Sequence, residues 1–319
     1  MLILQKNRDT LKMLYKKRWI KVARDVLKSI ISRFSRSDPD VVCDSIIAVL
    51  KERSVRAKQH EQMRQSEDYQ ASLLRLRKTT HRLVISLQLC FITASRWGFF
   101  TDNYLLPVFM DDIAEAVTTA KMAIENGALN AARRELRHML EVAVNTAFVD
   151  EINAKATFAE RIAFFQGKKV RKKNVDHIKD LPLRMLGNKR ADFVQATINA
   201  WVEASNHVHP TKQRIAEKLR LRAEGVDLGF ETTDMLAKAV QDFHDACSVV
   251  MVLAFETIGP AFTGDMLVGL LDADDAWPFH ENEFIATVDS FFDYKCERTA
   301  SLDDHIVRRQ RRIRHHFYT

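Results

Sequence analysis

The stretch Ala128–Glu151, which reads ALNAARRELRHMLEVAVNTAFVDE, decides the fold class of this chain. Its apolar residues recur at steps of three and four, as Leu129, Ala132, Leu136, Met139, Leu140, Ala143 and Ala147. That spacing is the period of an α-helix with one buried face, whereas a half-buried strand would alternate with a period of two. The dipeptide Asn126-Gly127 just before it is typical of a helix end. The sequence here therefore predicts two consecutive helices, one that ends at Asn126-Gly127 and one that begins at Ala128.

The helical pattern extends over most of the chain, and turn-forming residues are scarce. Only 9 Gly and 6 Pro occur in 319 residues, too few for the many tight turns of a β-sandwich or a doubly wound sheet. Further helices are expected over residues 1–36, 37–65, 111–125, 191–209 and 232–258. Another is expected after a hinge at residues 67–69 and through the apolar stretch 82–97, followed by a loop over 97–107. We therefore predict an all-α, multi-helix bundle with long N-terminal helices and a helical C-terminal extension.

Composition divides the predicted bundle into three parts. Residues 1–70 are a basic helical region, and residues 71–260 form the bundle core. Residues 261–319 combine an acidic segment with a basic tail. The predicted helix over 232–258 should stop at Gly259-Pro260, because proline cannot continue a helix.

The cysteines and the apolar stretches indicate a cytoplasmic protein. Cys43, Cys90, Cys247 and Cys296 form no C-x-x-C pair and are expected to be reduced thiols. The N-terminal apolar run is too short for a signal peptide. The apolar stretch over residues 83–94 has about twelve residues, whereas a bilayer needs about twenty. We expect a buried core helix there and no association with a membrane.

Charge is segregated in blocks. Residues 1–36 hold eleven basic residues against two acidic ones, and residues 308–316 are basic again. Residues 265–293 hold eight carboxylates and no Lys or Arg. A further basic group is predicted to bind nucleic acid: Lys168, Lys169, Arg171, Lys172 and Lys173. The alternative is that the basic blocks are solvated helix faces or partners of the acidic block.

One polar stripe lies opposite the apolar face of the Ala128 helix. A step of 100° per residue places Arg134, His138, Glu141 and Asn145 on it. An arginine can hold a phosphate, and a histidine can move a proton near neutral pH. The alternative is a solvated outer face with pairs such as Arg134–His138 and His138–Glu141.

A second polar stretch is WVEASNHVHP, residues 201–210. Ser205 and His209 are four residues apart and would share a helix face. The alternative is a helix C-terminus at which a protonated histidine meets the negative end of the helix dipole. His207 and His209 alternate, which can suit a metal, but no third ligand stands nearby. No phosphate loop or nucleophile elbow is present, so no cofactor and no metal are predicted.

Together these residues resemble a known family. The run Arg133-Arg134-Glu135-Leu136-Arg137-His138 matches the R-x4-H spacing of HEPN-type ribonucleases. With Ser205-x-x-x-His209-Pro210 it also resembles the helical abortive-infection proteins of that superfamily, over about residues 128–214. The resemblance implies a homodimer in which two such motifs meet and cut RNA without a metal.

Two hypotheses follow. The first is a helical RNA-binding protein of a bacterial defence or toxin system, in which His138 is a general acid or base. In it Arg133 or Arg134 holds the phosphate, and Glu141, Ser205 and His209 complete the site. The second is a non-catalytic scaffold or regulator that binds nucleic acid or a protein partner through its charged blocks.

Overall fold

Helices make up the regular structure of the chain. The computed structural model describes residue 28 and residues 39–152, 155–167, 174–206, 215–216, 219–221 and 229–317. The α-helices are α1 Pro39–Arg64, α2 Glu67–Ala94, α3 Gly98–Asn103, α4 Leu106–Glu125, α5 Leu129–Ile152, α6 Phe158–Phe165, α7 Arg190–Asn206, α8 Thr233–Met266, α9 Glu283–Ser290, α10 Cys296–Thr299 and α11 Leu302–Phe317. Short 3₁₀ helices span Asn174–Asp180, Arg184–Lys189 and Pro278–Glu281. These described residues contain no strand, and the predicted all-α class is confirmed.

The chain divides into two units at the end of α1. The first is Met1–Arg64, of which α1 is the described helix, and the second is Gln65–Thr319. Helix α1 begins at Pro39, where the capping residues and the fixed φ of proline predict a start. Apart from residue 28, the predicted helix over 1–36 lies outside the described residues.

Helix α8 is the centre of the second unit. It packs against α2, α5, α4, α9 and α7, and every residue from Val249 to Ile258 is buried. Helices α4 and α5 form a hairpin closed by Asn126-Gly127-Ala128. Gly127 has a φ of 68°, and a Cβ there would lie 2.0 Å from Oε2 of Glu231. Only glycine fits this turn, as the sequence predicts.

The apolar face of α5 lies where its period predicts. All seven residues of the predicted stripe are buried in the structure. Helix α5 packs against α4 and α8.

The predicted loop over residues 97–107 is wrong. Residues 98–103 form helix α3, and α4 begins at Leu106, five residues before the predicted start. Pro107 is tolerated because the first turn of a helix needs no N–H from it. The reason for the early start is distant in the sequence: buried Asp150 accepts the N–H of Leu105 at 2.8 Å and of Leu106 at 2.9 Å.

A second buried carboxylate performs the same task elsewhere in the bundle. Glu256 accepts the N–H of Arg184 at 2.9 Å and of Met185 at 2.8 Å, which caps the 3₁₀ helix Arg184–Lys189. Burial raises the pKa of Glu256 to about 7, although both N–H groups favour its ionised form. Asp150 and Glu256 are thus structural groups that tie helix starts to α5 and α8.

Gly259-Pro260 breaks α8 without ending it. Gly259 has a φ of 81° and a ψ of 165°, and the helix resumes directly to Met266. Pro260 therefore stands in the first turn of the second segment, where its missing N–H costs nothing. The Thr263 hydroxyl donates a 2.8 Å hydrogen bond to the Phe255 carbonyl across the break. The helix end that the sequence predicts at Gly259-Pro260 is therefore a kink within α8.

One helix has the length and composition of a membrane-crossing segment. It runs from Thr233 to Leu271, and 78% of its most apolar window is buried inside the protein. In the described part of the chain this is the helix that meets the test of length and composition, and the stretch over residues 83–94 does not meet it. The apolar side chains of the helix pack against α2, α4 and α5.

Candidate functional site

Helices α5 and α7, which carry the two predicted polar stretches, are joined by Glu141. Its carboxylate accepts hydrogen bonds from Arg137 Nε at 3.0 Å and from Trp201 Nε1 at 2.8 Å. The Arg137 guanidinium also lies over the Trp201 ring, 5.0 Å from its centroid. Glu141 therefore holds two helices together, and the predicted pair with His138 is replaced by one with Arg137.

The other predicted residues of α5 separate onto different sides of the helix. Arg134 and His138 are exposed one turn apart, and no hydrogen bond joins His138 to another described residue. Arg133 is half-buried, and its Nη1 lies 3.3 Å from Oδ1 of Asn130. Arg133 and His138 therefore do not converge within one chain, because five residues rotate a helix by about 140°.

The predicted residues beyond α5 lie only partly in the described structure. Ser205 is half-buried near the end of α7, and its hydroxyl oxygen has no hydrogen-bond partner there. His209 and the predicted nucleic-acid-binding residues Lys168, Lys169, Arg171, Lys172 and Lys173 lie outside the described residues.

A cleft of about 780 Å³ opens beside the α5–α7 junction, between α5, α7, α8 and α9. Buried apolar side chains of Leu136, Leu140, Val249 and Phe284 line it together with several alanines. We call this apolar lining the floor of the cleft and its carboxylates the rim. Among the described lining residues, six carboxylates accompany only two cations, Arg133 and Lys238. The carboxylates are Asp192, Glu203, Asp242, Asp245, Glu281 and Glu283.

The chain's own lysines and arginines partly neutralise these carboxylates. Lys189 Nζ lies 3.2 Å from both Asp192 and Glu283, and Lys238 pairs with Asp242. The cleft still concentrates negative charge in a chain whose formal net charge is +7. Phosphates are repelled by such a surface, whereas cations are attracted to it.

The acidic block over residues 265–293 is bonded to the chain's own basic residues. Each of its eight carboxylates lies within ion-pair distance of a basic side chain. The basic partners are Arg75, Arg82, Arg96, Lys189, Arg298, Arg309 and Arg312. Arg309 and Arg312 of the basic tail are thus partners of the acidic block, as one of the alternatives expected. Apart from residue 28, the other basic blocks, residues 1–36 and 168–173, lie outside the described residues.

Arg298 is the centre of this network. It is 2% exposed and bonds Asp272 at 2.6 Å, Asp293 at 3.4 Å, and Asp289. Burial would raise the pKa of Asp289, but the guanidinium groups of Arg309 and Arg298 hold it below its usual value.

Asp272, Asp289 and His305 lie close enough to share a cation. Their ligand atoms are within 4.8 Å of one another. The Arg298 guanidinium bonds both carboxylates and supplies the positive charge that this cluster needs. The cluster is therefore an ion-pair network that links α9, α10 and α11.

The cleft carboxylates are the group that sequence reasoning missed. They come from α7, α8, the 3₁₀ helix Pro278–Glu281 and the start of α9, and the first and last of them are 91 positions apart. Glu281 and Glu283 stand out in the sequence as members of the acidic block. Asp192, Glu203, Asp242 and Asp245 lie on amphipathic helices, where isolated acidic residues are ordinary, so only tertiary packing brings them together.

Comparisons of the chain with protein-family models, with curated proteins and with solved structures gave no match. The resemblance to HEPN-type ribonucleases stays a prediction.

Proposed function

We propose that this chain is a non-catalytic helical scaffold or regulator that binds a protein partner in the acidic cleft. The observation that carries the proposal is the cleft itself, with an apolar floor and six carboxylates among its described lining residues. An apolar floor with a polar rim is the usual anatomy of a protein-binding surface. Nucleic acid fits this surface poorly, because its phosphates would meet carboxylates.

The state of the predicted catalytic carboxylate also supports binding over catalysis. Glu141 Oε1 accepts hydrogen bonds from Arg137 and Trp201, and no hydrogen bond joins Glu141 to His138 among the described residues. The same contacts hold α5 and α7 together beside the cleft.

Site-specific photo-crosslinking in cells tests the scaffold function. A photo-crosslinking amino acid at Asn199, which lines the cleft, is expected to give an adduct that protease removes and nuclease does not. Gln310 on α11 is the matched control, because it is also an exposed amide but lies outside the cleft, and it should give no such adduct. A nuclease-sensitive adduct at Asn199, or no adduct, would contradict the proposal.

The second candidate is RNA binding with metal-independent cleavage by a homodimer. It is favoured by one observation: Arg134 and His138 are exposed one turn apart on α5, accessible to RNA or to a second chain. In this function Arg134 holds the scissile phosphate and His138 moves the proton.

Incubation of the purified protein with total RNA tests the second candidate. Cleavage by the wild-type chain, lost in His138→Ala and retained in the control Gln310→Ala, is the result that it requires. Binding should also weaken steeply between about 50 and 200 mM salt, because each neutralised phosphate releases counterions. Intact RNA after incubation with the wild-type chain would remove this candidate.

A further inference from the structure

We infer that the acidic cleft binds a basic, amphipathic α-helix of a partner protein. The inference rests on the proposed scaffold function and adds the chemistry of the partner. It is built on three properties of the cleft, namely its floor, its rim and its length.

The floor suits a helix with one apolar face. Large side chains such as Leu136, Leu140 and Phe284 line the cleft together with small ones, among them Ala200 and Ala246. The small residues let a visiting helix come close, and the large ones pack between its side chains. This is the helix-in-groove mode, in which positions i, i+3, i+4 and i+7 of the ligand are the anchors.

The rim selects the sign of the ligand's charge. Carboxylates on α7, on α8, at the end of the 3₁₀ helix Pro278–Glu281 and at the start of α9 line the cleft. Lysine and arginine side chains lay their apolar stems on such a floor while their charged ends reach the rim. A helix with an apolar face and basic residues beside it therefore complements both the apolar floor and the acidic rim. An acidic helix would be repelled by the rim.

The existing ion pairs of the rim do not block the site. Lys189 and its two partners Asp192 and Glu283 are exposed by 41–60% of their side chains, and Arg75 and its partner Glu281 by 34% and 43%. Lys238 is 60% exposed, whereas its partner Asp242 is 19% exposed. Ion pairs with exposed members stabilise a protein by only about 0–1 kcal/mol. A partner's basic groups can replace or join them at small cost.

The length of the cleft sets the length of the ligand. Along α7 its lining residues run from Asp192 to Glu203. At 1.5 Å per residue this is about 16 Å, or about three turns of a partner helix. A ligand of this length presents about four anchors, and its remaining surface faces solvent.

A designed peptide is the probe for the test. It is fluorescein-labelled, three to five turns long, with leucines at the anchor spacing and lysines elsewhere. One comparison peptide has the same composition with scrambled leucines, and another has glutamate in place of lysine. Anisotropy titrations against the full chain near physiological salt are expected to give binding of the first peptide, at least roughly tenfold weaker binding of the scrambled one, and none of the acidic one.

Variants of the chain locate the binding. The double change Glu203→Gln with Asp245→Asn removes two rim charges and is expected to weaken binding roughly tenfold. Its matched control, Asp303→Asn with Asp304→Asn, removes two exposed charges on α11 and should leave affinity unchanged. Ala200→Trp fills the floor and should also weaken binding, with thermal melting to show that it folds. If Ala200→Trp does not fold, the two double variants decide alone.

Three results would overturn the inference: no binding of the first peptide, equal binding of the scrambled one, or equal loss in both double variants. The proposed function fails separately. A protein adduct at Asn199 without peptide binding would refute the basic helix and leave the scaffold function standing.

Discussion

Replacement of Arg161 by methionine is expected to lower the free energy of unfolding by about 3–5 kcal/mol, because it leaves a buried carboxylate without its countercharge. Arg161 and Asp150 are each 1% exposed. The Nη1 atom of Arg161 donates to Asp150 Oδ1 at 2.9 Å and to the Asp150 carbonyl at 2.8 Å. Arg161 lies on α6 and Asp150 on α5, and Asp150 in turn caps α4. The change is therefore expected to weaken contacts among all three helices. Urea denaturation measures the effect.

The neighbouring ion pair supplies a matched control for this prediction. Arg184 lies 3.4 Å from Glu151, the residue after Asp150, but its side chain is 62% exposed. Arg184→Met is therefore expected to cost no more than about 1 kcal/mol, because water already solvates and screens the guanidinium end of this pair. Equal losses in the two variants would show that burial does not set the strength of the Arg161 pair.

Replacement of Met139 by alanine is expected to lower the free energy of unfolding by about 2–5 kcal/mol. Met139 is fully buried on the apolar face of α5, between α4 and α8. Truncation removes its apolar contacts and leaves a cavity that the surrounding helices can only partly fill. Chemical denaturation, followed by circular dichroism, measures the change.

His138→Ala, one residue along the same helix, is the control and is expected to stay within about 0.5 kcal/mol of the wild type. The reason is exposure, since His138 points to solvent and its loss creates no cavity. A His138→Ala variant as unstable as Met139→Ala would show that the histidine has a packing role. It would then be unsuitable as a probe of RNA cleavage.

Local sequence patterns predict the bounds and buried faces of those helices that depend only on neighbouring residues. The period of α5 and its buried face, the glycine turn after α4 and the start of α1 all follow from short stretches of sequence. These features depend on spacing, on φ and on capping, which are properties of neighbouring residues. The start of α4 is different, because the carboxylate that caps it is Asp150, more than forty residues away.

The candidate site divides in the same way. The sequence predicts that α5 carries a polar stripe, and the exposed pair Arg134 and His138 lies on it. The sequence does not reveal that Glu141 of that stripe is bound by Trp201 of α7. An amphipathic period gives the direction of a side chain on its own helix, but not which other helix lies above it.

The sequence by itself therefore determined the helical class of the chain, the buried face of α5 and the segregation of charge into blocks. Tertiary structure alone decided how those charges are used. It paired every carboxylate of the acidic block with the chain's own basic residues, and it placed Asp192, Glu203, Asp242 and Asp245 around one cleft. The physical reason is that helical periodicity is a local property, whereas electrostatic contacts act through space between segments whose distance in sequence carries no signal.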